Sequence, residues 1–256
     1  MDIMTLIACE DAFTAAFCQV EVQPDRIRYT DPKIPDMYDH HYTILLDLDA
    51  ASLRTAVEEE LARSLAQGLA FCNVRVRPGA DTSFIPQLSH APDVTHYGIF
   101  ASPIAALSIG GREDIAIRRI TDDQGIADRI AVELAGYSGS HGGDFIVRKG
   151  ARNGEVYMQD GLVDSYVAYL DGEPAGKADL FCHDGVAMIE DFDVVPSQRR
   201  KGIGTAVIRE LVKAAAAHGA KDAMLVTDLD DTAQDVYRKL GFVCHPGYTE
   251  LFFKLA

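Results

Sequence analysis

Hydrophobic positions along this chain follow two periods, and the period that holds in each stretch decides which element is predicted. Within 40–49 the run I-L-L-D-L is short enough for a strand. Leu53, Val57, Leu61 and Leu65 then recur at helical spacing, with Ser52 as cap and Gly68 as stop. A strand over 69–77 carries Phe71, Val74 and Val76, residues 78–92 read as a proline- and serine-containing loop, and 95–101 read as another strand. The first 39 residues show no strong period, and the acidic, proline-punctuated 24–39 predicts irregular backbone.

After a joint at 105–112, marked by Gly110-Gly111, the pattern is denser. I-A-I-R-R-I predicts a strand, and Thr121 with Gln124 forms a capping box for a helix whose Ile126, Ile130 and Leu134 share one face. Residues 137–144 read as a loop in which Tyr137 and His141 are the candidates for chemistry. Strands over 165–170 and 175–182 meet at an Asp171-Gly172 hairpin, and a third strand spans 186–195. In the next helix Ile203, Val207, Leu211 and Ala215 face a sheet, while Arg209 and Lys213 lie on a solvated side. A strand at 223–227 precedes a helix capped by Asp231, with Gln234 three residues on. Its stripe is Ala233, Val236, Tyr237 and Leu240, and it stops at Gly241. A loop at 244–248 and the alternating T-E-L-F-F-K-L complete a mixed sheet with helices on both faces, an α/β fold.

Composition narrows the function classes. A 48% hydrophobic content supports substantial cores over 256 residues, and 39 acidic against 24 basic residues give a net charge of −15. Such a field argues against a general role on nucleic acid or anionic membrane, and attracts a cationic acceptor. Five cysteines without C-x-x-C spacing read as buried, reduced thiols. The adjacent His40 and His41 point to opposite sides of a strand, so no metal site is expected. Without a signal peptide or membrane span, a cytoplasmic protein is expected.

The stretch that offers chemistry is D-F-D-V-V-P-S-Q-R-R-K-G-I-G-T, from Asp191 to Thr205, where an apolar strand ends in a basic, glycine-containing turn that opens a helix. Gly202 and Gly204 allow backbone to approach a phosphate, the N–H groups of the first helical turn point outward, and Arg199, Arg200 and Lys201 add positive charge. Small residues also let a helix pack closely on a strand, and G-x-G alone does not separate the two uses.

A second motif, A-x-x-x-Y-x-K-x-G-F with Ala233, Tyr237, Lys239, Gly241 and Phe242, follows at a separation that resembles the GNAT superfamily of N-acetyltransferases. The resemblance covers the chain from about residue 114 onward and implies a GNAT-like mixed sheet with acetyl-CoA as co-substrate. It implies cofactor contacts from the R-x-x-G-x-G turn (Arg199, Arg200, Lys201, Gly202, Ile203, Gly204 and Thr205) and pairing of the pantetheine arm with the backbone of Val194 and Val195. Asp230 stands where many relatives carry a cofactor-contacting Asn. P-D-M-Y-D-H-H at 35–41 is similar to a segment of bacterial acetyltransferases with an extra N-terminal region.

Direct acetyl transfer needs a neutral amine, and an alkylammonium of pKa near 10.4 must first lose a proton. Glu190, on the strand feeding the turn, is the first candidate base, as in many members of that family, with Asp191 and Asp193 as alternatives. Tyr237 matches the family's usual proton donor to the departing thiolate, and it also fits a plain core aromatic. These residues leave three readings: an acetyl-CoA-dependent N-acetyltransferase acting on a primary amine of a small molecule or protein, an inactive coenzyme A-binding sensor or structural protein, and an unrelated nucleoside-phosphate-binding module. The last lacks a Walker lysine-serine pair. The expected organisation is an α/β domain of unassigned role over 1–110 and an acetyltransferase domain over 111–256, with a homodimer left open.

Overall fold

A computed structural model describes residues 2–46, 48–136, 142–159 and 161–255. In chain order the elements begin with α1 (Ile3–Phe17), β1 (Gln19–Val22), β2 (Arg26–Thr30), β3 (Tyr42–Leu45), α2 (Ala50–Ala66), β4 (Phe71–Val76) and β5 (Asp93–Pro103). They continue with β6 (Ala116–Arg119), α3 (Asp123–Gly136), α4 (Gly142–Tyr157), β7 (Asp164–Leu170), β8 (Glu173–His183) and β9 (Val186–Val194). The last are α5 (Ile203–Ala217), β10 (Asp222–Asp228), α6 (Ala233–Lys239) and β11 (Val243–Lys254). No helix among the described residues is long and apolar enough to cross a membrane.

Two compact units share the chain. The first gathers Met1–Phe17, Phe100–Leu225 and Asp235–Val243, and the second Cys18–Ile99, Val226–Gln234 and Cys244–Ala256. Each therefore takes pieces from both sides of residue 110.

In the first unit β6, β7, β8 and β9 are consecutive antiparallel neighbours, and β10 lies parallel to β9 with Met224 opposite Met188. Helix α5 buries Ile203, Val207, Leu211 and Ala215, the predicted stripe. Arg209 is not simply solvated, since its guanidinium donates to the carbonyls of Gly111 (3.1 Å) and Arg112 (2.8 Å). The hairpin forms as read, with Asp171 and Gly172 both at positive φ (54° and 86°), the requirement of a primed turn.

Helices α1 and α4 escape the sequence patterns for definable reasons. In α1 the buried stripe includes Glu10 and Thr14 beside Leu6, Ile7 and Phe17, so polar residues occupy positions that would have marked the period. In α4 glycines weaken the helical signal, yet they are what the packing uses. A Cβ on Gly150 would fall 2.3 Å from Ile130, and one on Gly154 would fall 2.7 Å from Ile126. The Ile126 and Ile130 stripe of α3 thus beds into a glycine notch, whereas Leu134 is exposed. The cap of α3 is Asp122, which accepts from the Gly125 N–H at 2.9 Å. Tyr137 and His141 lie outside the described residues.

The second unit orders β1, β2, β3, β4 and β11, with β3 and β4 parallel and the other pairs antiparallel. Strand β2 brings regular structure into 24–39, where irregular backbone was predicted, whereas helix α2 forms where the sequence placed it. Asp49, not Ser52, caps α2, accepting from the Ser52 N–H at 2.8 Å. Leu53, Val57 and Leu61 pack with Val74, Val76, Leu251 and Phe253, while Leu65 is exposed. β11 begins at Val243, so the predicted 244–248 loop is strand.

Candidate active site

The candidate site sits where β9 runs into α5, inside the first unit. Val195 N–H bonds the Ala175 carbonyl (3.0 Å), a short 3₁₀ turn spans Pro196–Gln198, and Gly202 enters the helix at φ 83° in the left-handed region. Gly202, at the N-cap of α5, has no side chain to cap the helix, and a helix N-terminus of this kind favours an anion. Arg199, Arg200 and Lys201 are exposed around it.

These basic residues are differently held. Arg199 donates through Nε to the Val194 carbonyl (3.0 Å) and through Nη2 to Asp193 (3.3 Å), which fixes it across the strand end. Lys201 Nζ reaches the Gln198 amide oxygen at 2.6 Å, and its own carbonyl accepts from Arg112 at 3.3 Å. Arg200 adopts φ 65°.

The two glycines have separate uses. Gly202 supplies backbone conformation. Gly204 supplies space, because a Cβ there would lie 2.9 Å from the Phe192 ring. Ile203 is 1% exposed, so its side chain belongs to the core and only its backbone faces the turn. Thr205 is half-buried. Asp230 belongs to the second unit, where its N–H donates to Asp228 at 2.8 Å.

Glu190 is half-buried on β9, opposite Asp179 of β8. Tyr237 is 5% exposed on α6, its ring 5.7 Å from that of Phe100. Val236, expected in the same buried stripe, is exposed.

Asp191 behaves unlike its neighbours. It has φ 46° within a strand, and the β8–β9 register slips there, Asp179 facing Glu190 and Lys177 facing Asp193, so β9 holds one extra residue. Its carboxylate receives Lys177 Nζ (2.5 Å), Arg129 Nη2 (2.6 Å) and Lys149 Nζ (3.3 Å). Burial acts to raise the Asp191 carboxyl, but Lys149, Lys177 and Arg129 together outweigh it and hold the group well below the usual carboxylate range. A carboxylate already committed to three cations is less suited to take a proton from an ammonium than the half-buried Glu190. The cluster extends to Glu133, which pairs Lys149 at 2.7 Å, and to Asp179, which accepts from Arg129 (3.0 Å) and the Tyr157 hydroxyl (2.8 Å). Asp193 instead accepts from the Val194 N–H (2.7 Å) as well as Arg199. Sequence reasoning missed this cluster, whose members come from α3, α4, β8 and β9. The one available signal was Lys177, a basic residue among small and apolar neighbours in P-A-G-K-A, since Arg129 follows Asp128 and Lys149 follows Arg148.

In the second unit, Pro35, Asp36, Tyr38 and His41 of the P-D-M-Y-D-H-H segment line a cavity of about 430 Å³. Among the described residues no cluster of three or more His, Cys, Asp and Glu side chains is arranged to hold a metal.

Residues 143–242 match the family model of the acetyltransferase (GNAT) family. No match to a curated protein was found. Among solved structures, a functionally unknown conserved protein from Staphylococcus epidermidis ATCC 12228 aligns with a TM-score of 0.78 at 18% identity, covering 93% of this chain and 95% of that one. A GCN5-related N-acetyltransferase from Kribbella flavida aligns with a TM-score of 0.70 at 17% identity over 98% and 95% of the two chains. A GCN5-related N-acetyltransferase from Sphaerobacter thermophilus gives 0.64 at 14% identity over 97% and 90%. The fold is shared along nearly the whole length, including the additional N-terminal α/β region.

Proposed function

Since residues 143–242 carry an acetyltransferase (GNAT) family domain, we propose that the chain is an acetyl-CoA-dependent N-acetyltransferase that transfers its acetyl group directly to a primary amine. The observation that carries this reading is the basic turn before α5, whose uncapped helical N-terminus is suited to the pyrophosphate of coenzyme A. The exposed cations of the turn act locally against the chain's net charge of −15, which would otherwise repel such a ligand. The backbone of Val194 and Val195 is the edge assigned to the pantetheine arm.

Glu190 takes the proton that the acceptor ammonium must lose, directly or through water, and Tyr237 gives one to the departing thiolate. The amine attacks the thioester carbon, the carbon–sulfur bond breaks, and no acyl-enzyme forms. The second reading, coenzyme A binding without turnover, is the one that the 5% exposure of Tyr237 would favour.

Purified protein incubated with acetyl-CoA and a panel of small-molecule and peptide amines, with thiol release as readout, separates the two. Turnover is expected with at least one amine class, and Glu190→Gln and Tyr237→Phe should each lower kcat by about 10²-fold with little change in coenzyme A affinity. Coenzyme A at about a hundredfold excess over its dissociation constant should stabilise the fold by roughly 2.7 kcal/mol. Stabilisation without thiol release across the panel would favour the non-catalytic reading, and neither result would remove both.

A further inference from the structure

We propose that Asp191 is a positioning residue, clamped by the buried Lys177 so that the bulge in β9 holds the cofactor-bearing segment 192–204 in register, an inference that rests on the acetyl-CoA reading for its functional part. A bulge leaves one residue outside the ladder, and its carbonyl then needs a donor from elsewhere. Here Lys177, itself 1% exposed, supplies it. Its ammonium donates to the Asp191 carbonyl at 3.0 Å and to the same residue's carboxylate at 2.5 Å. One buried cation therefore grips both the main chain and the side chain of the residue at φ 46°. The left-handed backbone disfavours residues with a Cβ, and a short acidic side chain tolerates it best among charged types.

The remaining partners set the direction of the grip. Arg129 and Lys149 hold the second carboxylate oxygen from α3 and α4, and Glu133 closes the set by pairing Lys149. Three basic side chains face three acidic ones (Glu133, Asp179 and Asp191), so their formal charges balance. Burial and the neighbouring Arg129 push the Lys177 ammonium down, Asp191 opposes them, and removing one member leaves a buried charge unmatched.

Downstream, each residue that follows the bulge is committed to a contact of the turn. The Phe192 ring fills the space left by Gly204, Asp193 meets Arg199, and the Val194 carbonyl accepts from Arg199 Nε. A Cβ on Gly176 would come within 3.1 Å of the Asp193 carbonyl and 3.2 Å of Ile203. Packing this close passes a shift at residue 191 to the strand end and to the first turn of α5.

The test uses Asp191→Asn, Lys177→Met and the double variant in the full chain. The double variant leaves two cations against two carboxylates, so most of the stability lost by either single change should return. If the clamp positions the segment, amide hydrogen exchange over 190–195 in the unliganded double variant stays at least tenfold faster than in the parent, although the melting temperature has recovered. Coenzyme A, titrated calorimetrically, should bind the double variant at least tenfold more weakly. Parent-like exchange over 190–195 in the recovered double variant would overturn the clamp. Parent-like coenzyme A affinity together with fast exchange would overturn its functional part. Should the parent itself fail to bind coenzyme A, the acetyl-CoA reading falls and exchange alone decides the clamp. A double variant that does not recover stability would show that the pair serves folding generally, which also overturns the proposal.

Discussion

At the scale of single residues, the two glycines of the turn predict different outcomes. Gly204→Val drives a branched side chain into the Phe192 ring, so it should lower stability by about 1–3 kcal/mol, and lost cofactor binding in that variant would say nothing about phosphate. Arg200→Gln with Lys201→Gln alters only exposed side chains. This pair should weaken coenzyme A at least tenfold, more at low salt than at high, with the melting temperature held within about 2 °C. The basic residues and Gly202 were legible because local chemistry marks them. The packing role of Gly204 was legible only as an alternative, since it depends on the ring of a residue twelve positions earlier. Asp191 could not be assigned from sequence at all, because its partners are spread from residue 129 to residue 177. Its depressed pKa has a consequence for acid stability. A carboxyl whose folded pKa lies below its unfolded value of about 3.9 contributes fully above that value, and loses its contribution as pH falls through the folded pKa. Thermal melts below about pH 4 should therefore show a steeper loss in the parent than in Asp191→Asn.

Among elements, the strands and helices with uninterrupted period were read correctly, α5 and the β7–β8 hairpin most completely. Two failures, α1 and α4, follow one rule: an element is hidden when its buried face carries polar or very small residues. Glu10 and Thr14 concealed α1, and Gly150 and Gly154 concealed α4. The second case predicts its own test. Gly150→Ala would place a methyl 2.3 Å from the Ile130 side chain, a distance that an Ile130 rotamer change or separation of α3 from α4 must relieve. Despite the higher helix propensity of alanine, this substitution should destabilise, whereas the same change in an open helix would stabilise by about 0.5–1 kcal/mol. Chemical denaturation of Gly150→Ala, and of its pairing with Ile130→Ala, which removes both the Cγ1 and Cδ1 contacts, gives the sign and shows whether the smaller partner restores the loss.

For the molecule as a whole, a linear reading assigns each element to the half in which it occurs, whereas the two compact units draw on distant segments. Helix α1 lies some eighty residues upstream of the next piece of its unit, yet it buries Leu6, Ile7, Cys9 and Phe17 there. Phe17 packs edge-on to Tyr157 at 6.2 Å, and its carbonyl accepts from Arg152 at 2.6 Å. Each large buried apolar side chain contributes about 1.5–3 kcal/mol, so deleting residues 2–17 should remove much of a stability that is typically only 5–15 kcal/mol. Circular dichroism should show the deleted protein melting far below the parent, and a fragment starting near residue 112 should fare no better.

Pairing of β11 with β4 sets Thr249 opposite Val76 and Lys254 opposite Phe71. Ribosomal synthesis proceeds at about 5–20 residues per second, so β4 emerges many seconds before the strand that will cover its edge. Throughout that interval the nascent chain presents an open, apolar strand edge, a template for pairing with the wrong chain. The late arrival of residues 249–254 therefore predicts that slower translation lowers the soluble yield of this protein even where the finished fold is equally stable, a difference that expression at two elongation rates would measure.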